Sequence, residues 1–320
     1  MDPLLEAARG TVVGVVALTL SIAVAWQFTG ARARVGLGLA LALASAFGVG
    51  LILGAPRVPP AASDDRLFLV LPGALALVWI VAAIRPAWGR WLAMAIGTGL
   101  VCWFIVGPRA SVALEFEQWT RGEAAWRFAI AYASLLIAWA GGRSIGHEGD
   151  ERAPWAALVL APVGFAVTVS AGLTGSLKSA QCASVIVAAC SAWAVAALFA
   201  PTLRRGAGVA ASWAAMALVL VALNGSLFAD TPAVVALLVA IVPWLGRMGV
   251  WLSSASLVRG WIVGLVSIGI GALVIVGAAG VPQLLEEPEG AVEEEAEAAV
   301  EDDGAPNPYE SFDPNWKPGG

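Results

Sequence analysis

Read between charges, ten apolar runs divide this chain: 11–29, 35–54, 67–84, 91–107, 125–142, 154–173, 180–200, 207–228, 232–250 and 260–281, the ninth being uninterrupted only over 233–246, before Arg247. No other feature restricts the fold so severely, because an uninterrupted apolar run of roughly 17–25 residues is what a helix needs to cross the hydrocarbon core of a bilayer. The runs are continuous and do not alternate, so they do not read as strands, and an open sheet could not satisfy its backbone in lipid. We therefore expect an all-α, polytopic membrane helix bundle of about ten transmembrane helices over residues 1–282, followed by a disordered acidic tail over 283–320.

Composition agrees with lipid as the solvent. The 320 residues are 59% hydrophobic and 13% charged, against roughly 25% charged residues in a soluble domain. Twelve of the 23 acids lie between Glu286 and Asp313, which leaves the first 285 residues nearly stripped of charge and unable to cover a water-soluble surface. The first run does not read as a cleaved signal. Thr11 to Phe28 exceeds the usual ~7–15-residue apolar region, and Met1 to Gly10 sets Asp2 and Glu6 against Arg9 where a basic stretch is required.

Tryptophans and arginines supply independent markers. Trp26, Trp88, Trp91, Trp119, Trp126, Trp155, Trp251 and Trp261 fall near expected helix ends, where an amphipathic ring favours the headgroup layer. Trp103, Trp193 and Trp213 fall deeper and read as packing residues between helices. The loops after the odd-numbered spans hold ten arginines, among them Arg32, Arg85, Arg90, Arg143, Arg204 and Arg247, against seven basic residues near the membrane on the other side. The positive-inside rule then places these loops in the cytoplasm and both termini outside, in a membrane of the bacterial inner (plasma) type.

Two patterns along the chain bear on architecture. Ala83-Ile84-Arg85-Pro86-Ala87-Trp88-Gly89-Arg90 matches Ala240-Ile241-Val242-Pro243-Trp244-Leu245-Gly246-Arg247 as A-I-x-P-x-x-G-R. Spans 1–4 and 7–10 would then be parallel repeats of the kind found in transporters; chance similarity in so Ala-rich a chain is the other reading. Small residues also recur every fourth position at Gly38, Ala42, Ala46, Gly50 and Gly54, and at Ser184, Ala188, Ala192, Ala196 and Ala200. Such ridges let helix backbones approach closely.

Chemistry is sparse. The only histidine, His147, lies in a charged loop with Glu148, Asp150, Glu151 and Arg152, and Cys102, Cys182 and Cys190 sit singly within apolar runs. We expect no catalytic residue, no cofactor and no metal site. No ionisable residue falls near the centre of a span, which counts against a proton-coupled pump or a voltage sensor. Two polar regions remain. At the sixth and seventh spans, Thr168, Ser170, Thr174, Ser176, Lys178 and Gln181 either line a polar cavity or bond their own helix carbonyls. The expected loop 108–124, with Glu115, Glu117, Trp119, Arg121 and Glu123, reads as a solvated face.

The tail ends in Tyr309, Phe312 and Trp316 among prolines. It is either a bland disordered terminus or a docking motif in which those rings contact a protein partner. The expected partners are the lipid bilayer and, through the tail, that protein; no basic patch suits nucleic acid. Three functional classes follow: a non-catalytic component of a membrane assembly, favoured because catalytic groups are missing; a carrier for a small neutral or lipidic molecule; and, last, an intramembrane enzyme.

Overall fold

The computed structural model describes residues 41, 43–50, 60, 63–145, 153–199, 207–228, 231–252, 266 and 269–280. The first expected span, the loop around His147 and the whole tail, with Tyr309, Phe312 and Trp316, lie outside the described residues. Among the described residues the secondary structure is entirely helical, without a strand. Seven helices are complete: α1 (Ser63–Ala83), α2 (Ala87–Glu115), α3 (Arg121–Ile145), α4 (Ala153–Leu173), α5 (Leu177–Phe199), α6 (Ala207–Phe228) and α7 (Ala233–Leu252). Residues 43–50 and Gly269–Gly280 are helical segments inside the second and tenth runs. Among the described residues, four helices are long and apolar enough to cross a membrane: Arg66–Ala83 within α1, and α2, α3 and α6.

The helices stop where backbone chemistry stops them. Arg85 precedes Pro86, and the residue before a proline is pushed out of the helical region; α1 ends at Ala83, and Pro86, extended at φ −70° and ψ 136°, caps α2. Between α4 and α5 the turn closes on Gly175, whose φ of +76° favours glycine. Gly175 N–H donates to the Gly172 carbonyl at 3.2 Å and Ser176 N–H to the Ala171 carbonyl at 2.8 Å, the paired bonds of a Schellman cap. At the start of α3, Thr120 and Glu123 form a capping box. Thr120 N–H donates to Glu123 Oε2 at 2.7 Å, and Glu123 N–H donates to Thr120 Oγ1 at 3.2 Å.

One boundary differs from expectation. The loop foreseen from residue 108 begins only after Glu115, because α2 continues through Pro108 for two further turns. A proline inside a helix removes one backbone donor, a loss that helices in lipid absorb through local adjustment and neighbouring groups. Pro72, Pro162 and Pro243 are likewise contained within α1, α4 and α7. The octapeptides that suggested duplication therefore adopt different conformations. Ala83–Arg90 spans the break between α1 and α2, whereas Ala240–Arg247 is continuous helix.

Helix α6 occupies the axis and packs against each of the other six complete helices. Nearly every residue from Ala207 to Leu227 is buried. Lipid supplies no hydrophobic drive between helices, so close packing and interhelical hydrogen bonds carry the association. Trp213 Nε1 donates to the Leu71 carbonyl of α1 at 3.2 Å, and Tyr132 Oη of α3 donates to the Ala95 carbonyl of α2 at 3.2 Å. Trp193 and Trp213 are buried as expected of packing residues, but Trp103 is 69% exposed and faces away from the bundle. The seventh-span ridge also turns outward at Ser184, while Cys182, Ala183, Ile186, Ala189, Cys190 and Trp193 form the buried face of α5. In an Ala-rich helix small residues occur on several faces, so their spacing does not select the packed one.

Candidate functional site

The polar turn between α4 and α5 is knit mostly into its own backbone. Thr168 Oγ1 donates to the Gly164 carbonyl at 2.9 Å. Thr174 Oγ1 lies 3.1 Å from the Ser170 carbonyl and 2.7 Å from Thr231 Oγ1, which ties this turn to the start of α7. Ser179 Oγ accepts from Asn224 Nδ2 of α6 at 3.4 Å, and Ser184 Oγ donates to the Gln181 carbonyl at 2.7 Å. Ser176 is half-buried at the head of α5, where its carbonyl accepts from Ala180 N–H at 3.0 Å. Lys178 is exposed and Gln181 half-buried. The hydroxyl of Ser170 is buried with no hydrogen-bond partner among the described residues.

A second constellation, unforeseen in the sequence, forms at the other end of α6. Two glycines on α3 create it. A Cβ on Gly142 would lie 2.5 Å from the Ala211 carbonyl oxygen and 2.6 Å from Ser212 Cα, so α3 and α6 meet backbone to backbone there. A Cβ on Gly141 would lie 2.9 Å from Trp244 Nε1 and 3.1 Å from Pro243 Cβ, so the neighbouring glycine seats α7. Trp244 Nε1 also donates to the Ile137 carbonyl at 3.1 Å, and Ser212 Oγ lies 2.7 Å from the Gly208 carbonyl and 3.3 Å from the Trp139 carbonyl. These contacts draw α3, α6 and α7 together beside the α1–α2 turn.

Between them lies a cavity of about 680 Å³. Arg85 and Arg90 come from the α1–α2 turn, Arg143 from α3 and Arg247 from α7, and no carboxylate is among its described lining residues. Its aromatic wall is Trp91, Trp139 and Trp244. Trp91 and Trp139 meet edge to face with centroids 4.8 Å apart, the Arg143 guanidinium stands 5.8 Å from the Trp139 centroid, and that of Arg247 stands 5.7 Å from Trp244. Stacking of this kind orients a guanidinium plane against its ring. Val78, Ala82 and Val209 supply apolar wall beside the arginines.

The sequence pointed at these residues only as topology markers. The signal that could have found the site was there: arginine-bearing loops of one parity, and a repeated motif whose two terminal arginines, Arg90 and Arg247, reach the same cavity.

The opposite end of α2 and α3 carries a smaller cluster. Trp119 lies beneath Arg127 at 4.5 Å and Arg109 at 5.7 Å, and Trp126 is exposed nearby in sequence on α3. Glu123, fully exposed in the first turn of α3, is held below its ordinary pKa, first by the Thr120 backbone N–H, then by the Thr120 hydroxyl and by the charge of Arg127.

No family model matches this chain, and neither does any curated protein or solved structure.

Proposed function

We propose that this chain is a ten-span integral membrane protein that works without catalysis of its own, as a component of a membrane assembly. Its odd-numbered loops face the cytoplasm of a bacterial-type inner membrane in this reading, and its C-terminal tail offers Tyr309, Phe312 and Trp316 to a protein partner. The observation that carries the reading is the burial of α6. Side chains from Val209 to Leu223 along the bundle axis are buried, which supports a packed scaffold around a solid core.

The test is co-purification in mild detergent of the full chain and of a version lacking residues 283–320. A partner protein recovered in fixed ratio with the full chain, and lost on truncation or on replacing Tyr309, Phe312 and Trp316 with Ala, is the expected result. Recovery of the full chain alone, from native membranes and under gentle extraction, would overturn the assembly role.

A further inference from the structure

We propose that the end of the α2–α3 hairpin binds the zwitterionic headgroup of a membrane lipid, with its phosphate on Arg109 and Arg127 and its primary ammonium on Glu123. The inference rests on the membrane reading above and not on the assembly role.

Arg109 Nε is a buried donor with no hydrogen-bond partner among the described residues. The other atoms orphaned in the same way, on Ser45, Thr98, Ser134 and Ser170, are neutral hydroxyls. A guanidinium is always charged, and an unmet charged donor costs more than an unmet neutral one. Native structures leave few such groups unmet, and a bound ion or molecule is one way to meet them. Trp119 fixes where this donor stands. The Arg109 guanidinium lies 5.7 Å from its ring centroid, and that of Arg127 lies 4.5 Å from the same ring. Two guanidiniums held against one indole can share one phosphate, which takes paired N–H donors from a planar fork.

The acidic half of the site is one residue away. Glu123 Oε2 accepts from the Thr120 N–H at 2.7 Å and from the Thr120 hydroxyl at 3.1 Å, which fixes the carboxylate beside Trp119. Both of those bonds go to Oε2, so Oε1 keeps its acceptor sites for a primary ammonium, which brings three donors. The charge of Arg127 already acts on this carboxylate. A cationic pair next to a carboxylate complements a zwitterion. A lipid with negative charge alone would meet Glu115, Glu117 and Glu123, all exposed at this end.

Depth selects a lipid over a free headgroup. Helix α2 has 29 residues and so is about 43 Å long, against roughly 30 Å of hydrocarbon. Its end therefore reaches the headgroup layer, where the exposed Trp126 ring is also at home. Arg109, half-buried on α2, snorkels toward Trp119 at that level. Val112 and Phe116, exposed beside the cluster, offer apolar contact to acyl chains.

The full chain, purified in mild detergent, is titrated with dioctanoyl phosphatidylethanolamine, phosphatidylcholine and phosphatidylglycerol, and with glycerophosphoethanolamine, which carries the headgroup without chains. Native mass spectrometry and thermal shift are the readouts. Phosphatidylethanolamine is expected to bind and to raise Tm, with the other two lipids at least about tenfold weaker, as for the loss of one charge-assisted contact. A quaternary ammonium has no N–H to donate, and a glycerol headgroup has no positive charge. Arg109→Gln with Arg127→Gln is expected to weaken phosphatidylethanolamine at least about tenfold. Glu123→Gln is expected to erase its preference over the other two lipids and to leave weak binding through the phosphate. Arg90→Gln with Arg247→Gln, at the other end of α2, leaves the preference intact. If the Arg109 and Arg127 double variant fails to fold, Arg127→Lys replaces it; it keeps the charge, loses the planar fork and is expected to weaken binding several-fold. Equal binding of the three lipids, tightest binding of phosphatidylglycerol, or a preference that survives every change at 109, 123 and 127 overturns the proposal. Glycerophosphoethanolamine binding as tightly as the lipid overturns the lipid assignment. Recovery of the chain in the soluble fraction without detergent overturns the membrane reading and the site with it, whereas lost selectivity in a chain that still needs detergent overturns the site alone.

Discussion

Helices α6 and α2 are both apolar enough to cross a membrane, yet they occupy opposite environments. In the most apolar stretch of α6, 94% of residues are buried inside the bundle; in that of α2, 28% are. Size separates them better than polarity does. The axial helix is built from Ala207, Ala210, Ala211, Ala214, Ala215 and Ala217, and it keeps one large ring in its interior, Trp213, which is buried and hydrogen-bonded to α1, with Phe228 at its exposed end. The peripheral helix turns Trp88, Trp91, Leu92, Ile96, Leu100 and Trp103 outward. Water would have forced these large apolar groups inward. Lipid does not, so shape decides: helices that must touch six neighbours carry small side chains, and helices with a free face carry bulk there.

The strongest way to break this comparison is to put bulk where two backbones meet. Gly142→Leu would drive its Cβ into the Ala211 carbonyl and Ser212 Cα, which are backbone atoms and cannot move aside by changing rotamer. Overpacking commonly costs about 1–3 kcal/mol where side chains can yield; here we expect more, with the folded bundle lost in detergent or its Tm sharply lowered. A Gly142→Leu protein with unaltered Tm and size-exclusion profile would show that α3 and α6 do not approach as described.

A matched pair of tryptophans sharpens the same contrast. Trp213→Ala removes a ring that is 1% exposed, together with its bond to Leu71, and is expected to cost about 3–5 kcal/mol. Trp103→Ala removes a ring of identical chemistry that is 69% exposed, and is expected to change stability by less than about 0.5 kcal/mol. Thermal unfolding of both variants in one detergent measures the difference. Equal costs would mean that Trp103 faces a protein neighbour.

How far the fold can be read from the chain follows from the same physics. The third to ninth runs coincide with α1 to α7, because a charge or a helix-stopping turn between two apolar stretches must lie at a helix end. Which face of each helix packs was not legible. Depth alone points Trp103 inward and spacing alone packs the Ser184 ridge, yet both are exposed, because neither depth nor spacing distinguishes lipid from protein when both are apolar. The end of α2 was misplaced because Pro108 reads as a stop in water-soluble helices. The polar turn was legible as a turn, since Gly175 and its flanking hydroxyls announce one, and its Schellman bonds and the Thr174–Thr231 pair are what the fold adds. The arginine cavity was legible only as markers, the arginine-bearing loops of one parity and the repeated motif, and not as one site. Its charged residues run from Arg85 to Arg247, and only the glycine-mediated approach of α3 to α6 and α7 brings them together.

The smallest effect expected concerns an exposed helix end, the first turn of α3, which lies away from the packing of Gly141 and Gly142 and carries a side-chain cap. Thr120 and Glu123 satisfy each other's backbone donors at the start of α3, and the Glu123 carboxylate accepts from both the Thr120 N–H and the Thr120 hydroxyl. Glu123 accordingly titrates below its ordinary value, chiefly because the Thr120 N–H and hydroxyl donate to it. With the folded pKa below the unfolded one, the cap contributes its full stabilisation above the unfolded value of about 4.3 and loses it as pH falls through the folded value. Thermal unfolding of the wild type and of Glu123→Gln between about pH 6 and pH 3 is the measurement. The wild type is expected to be slightly the more stable at the upper end, and the two curves to converge at the lower. Because the carboxylate is fully exposed, salt and water weaken its attraction to Arg127, and what survives high salt is the pair of short hydrogen bonds. A gap between the two proteins that stays constant across this range would show that Glu123 acts through contacts indifferent to its charge, and this exposed end would then be held by packing as the axial helix is.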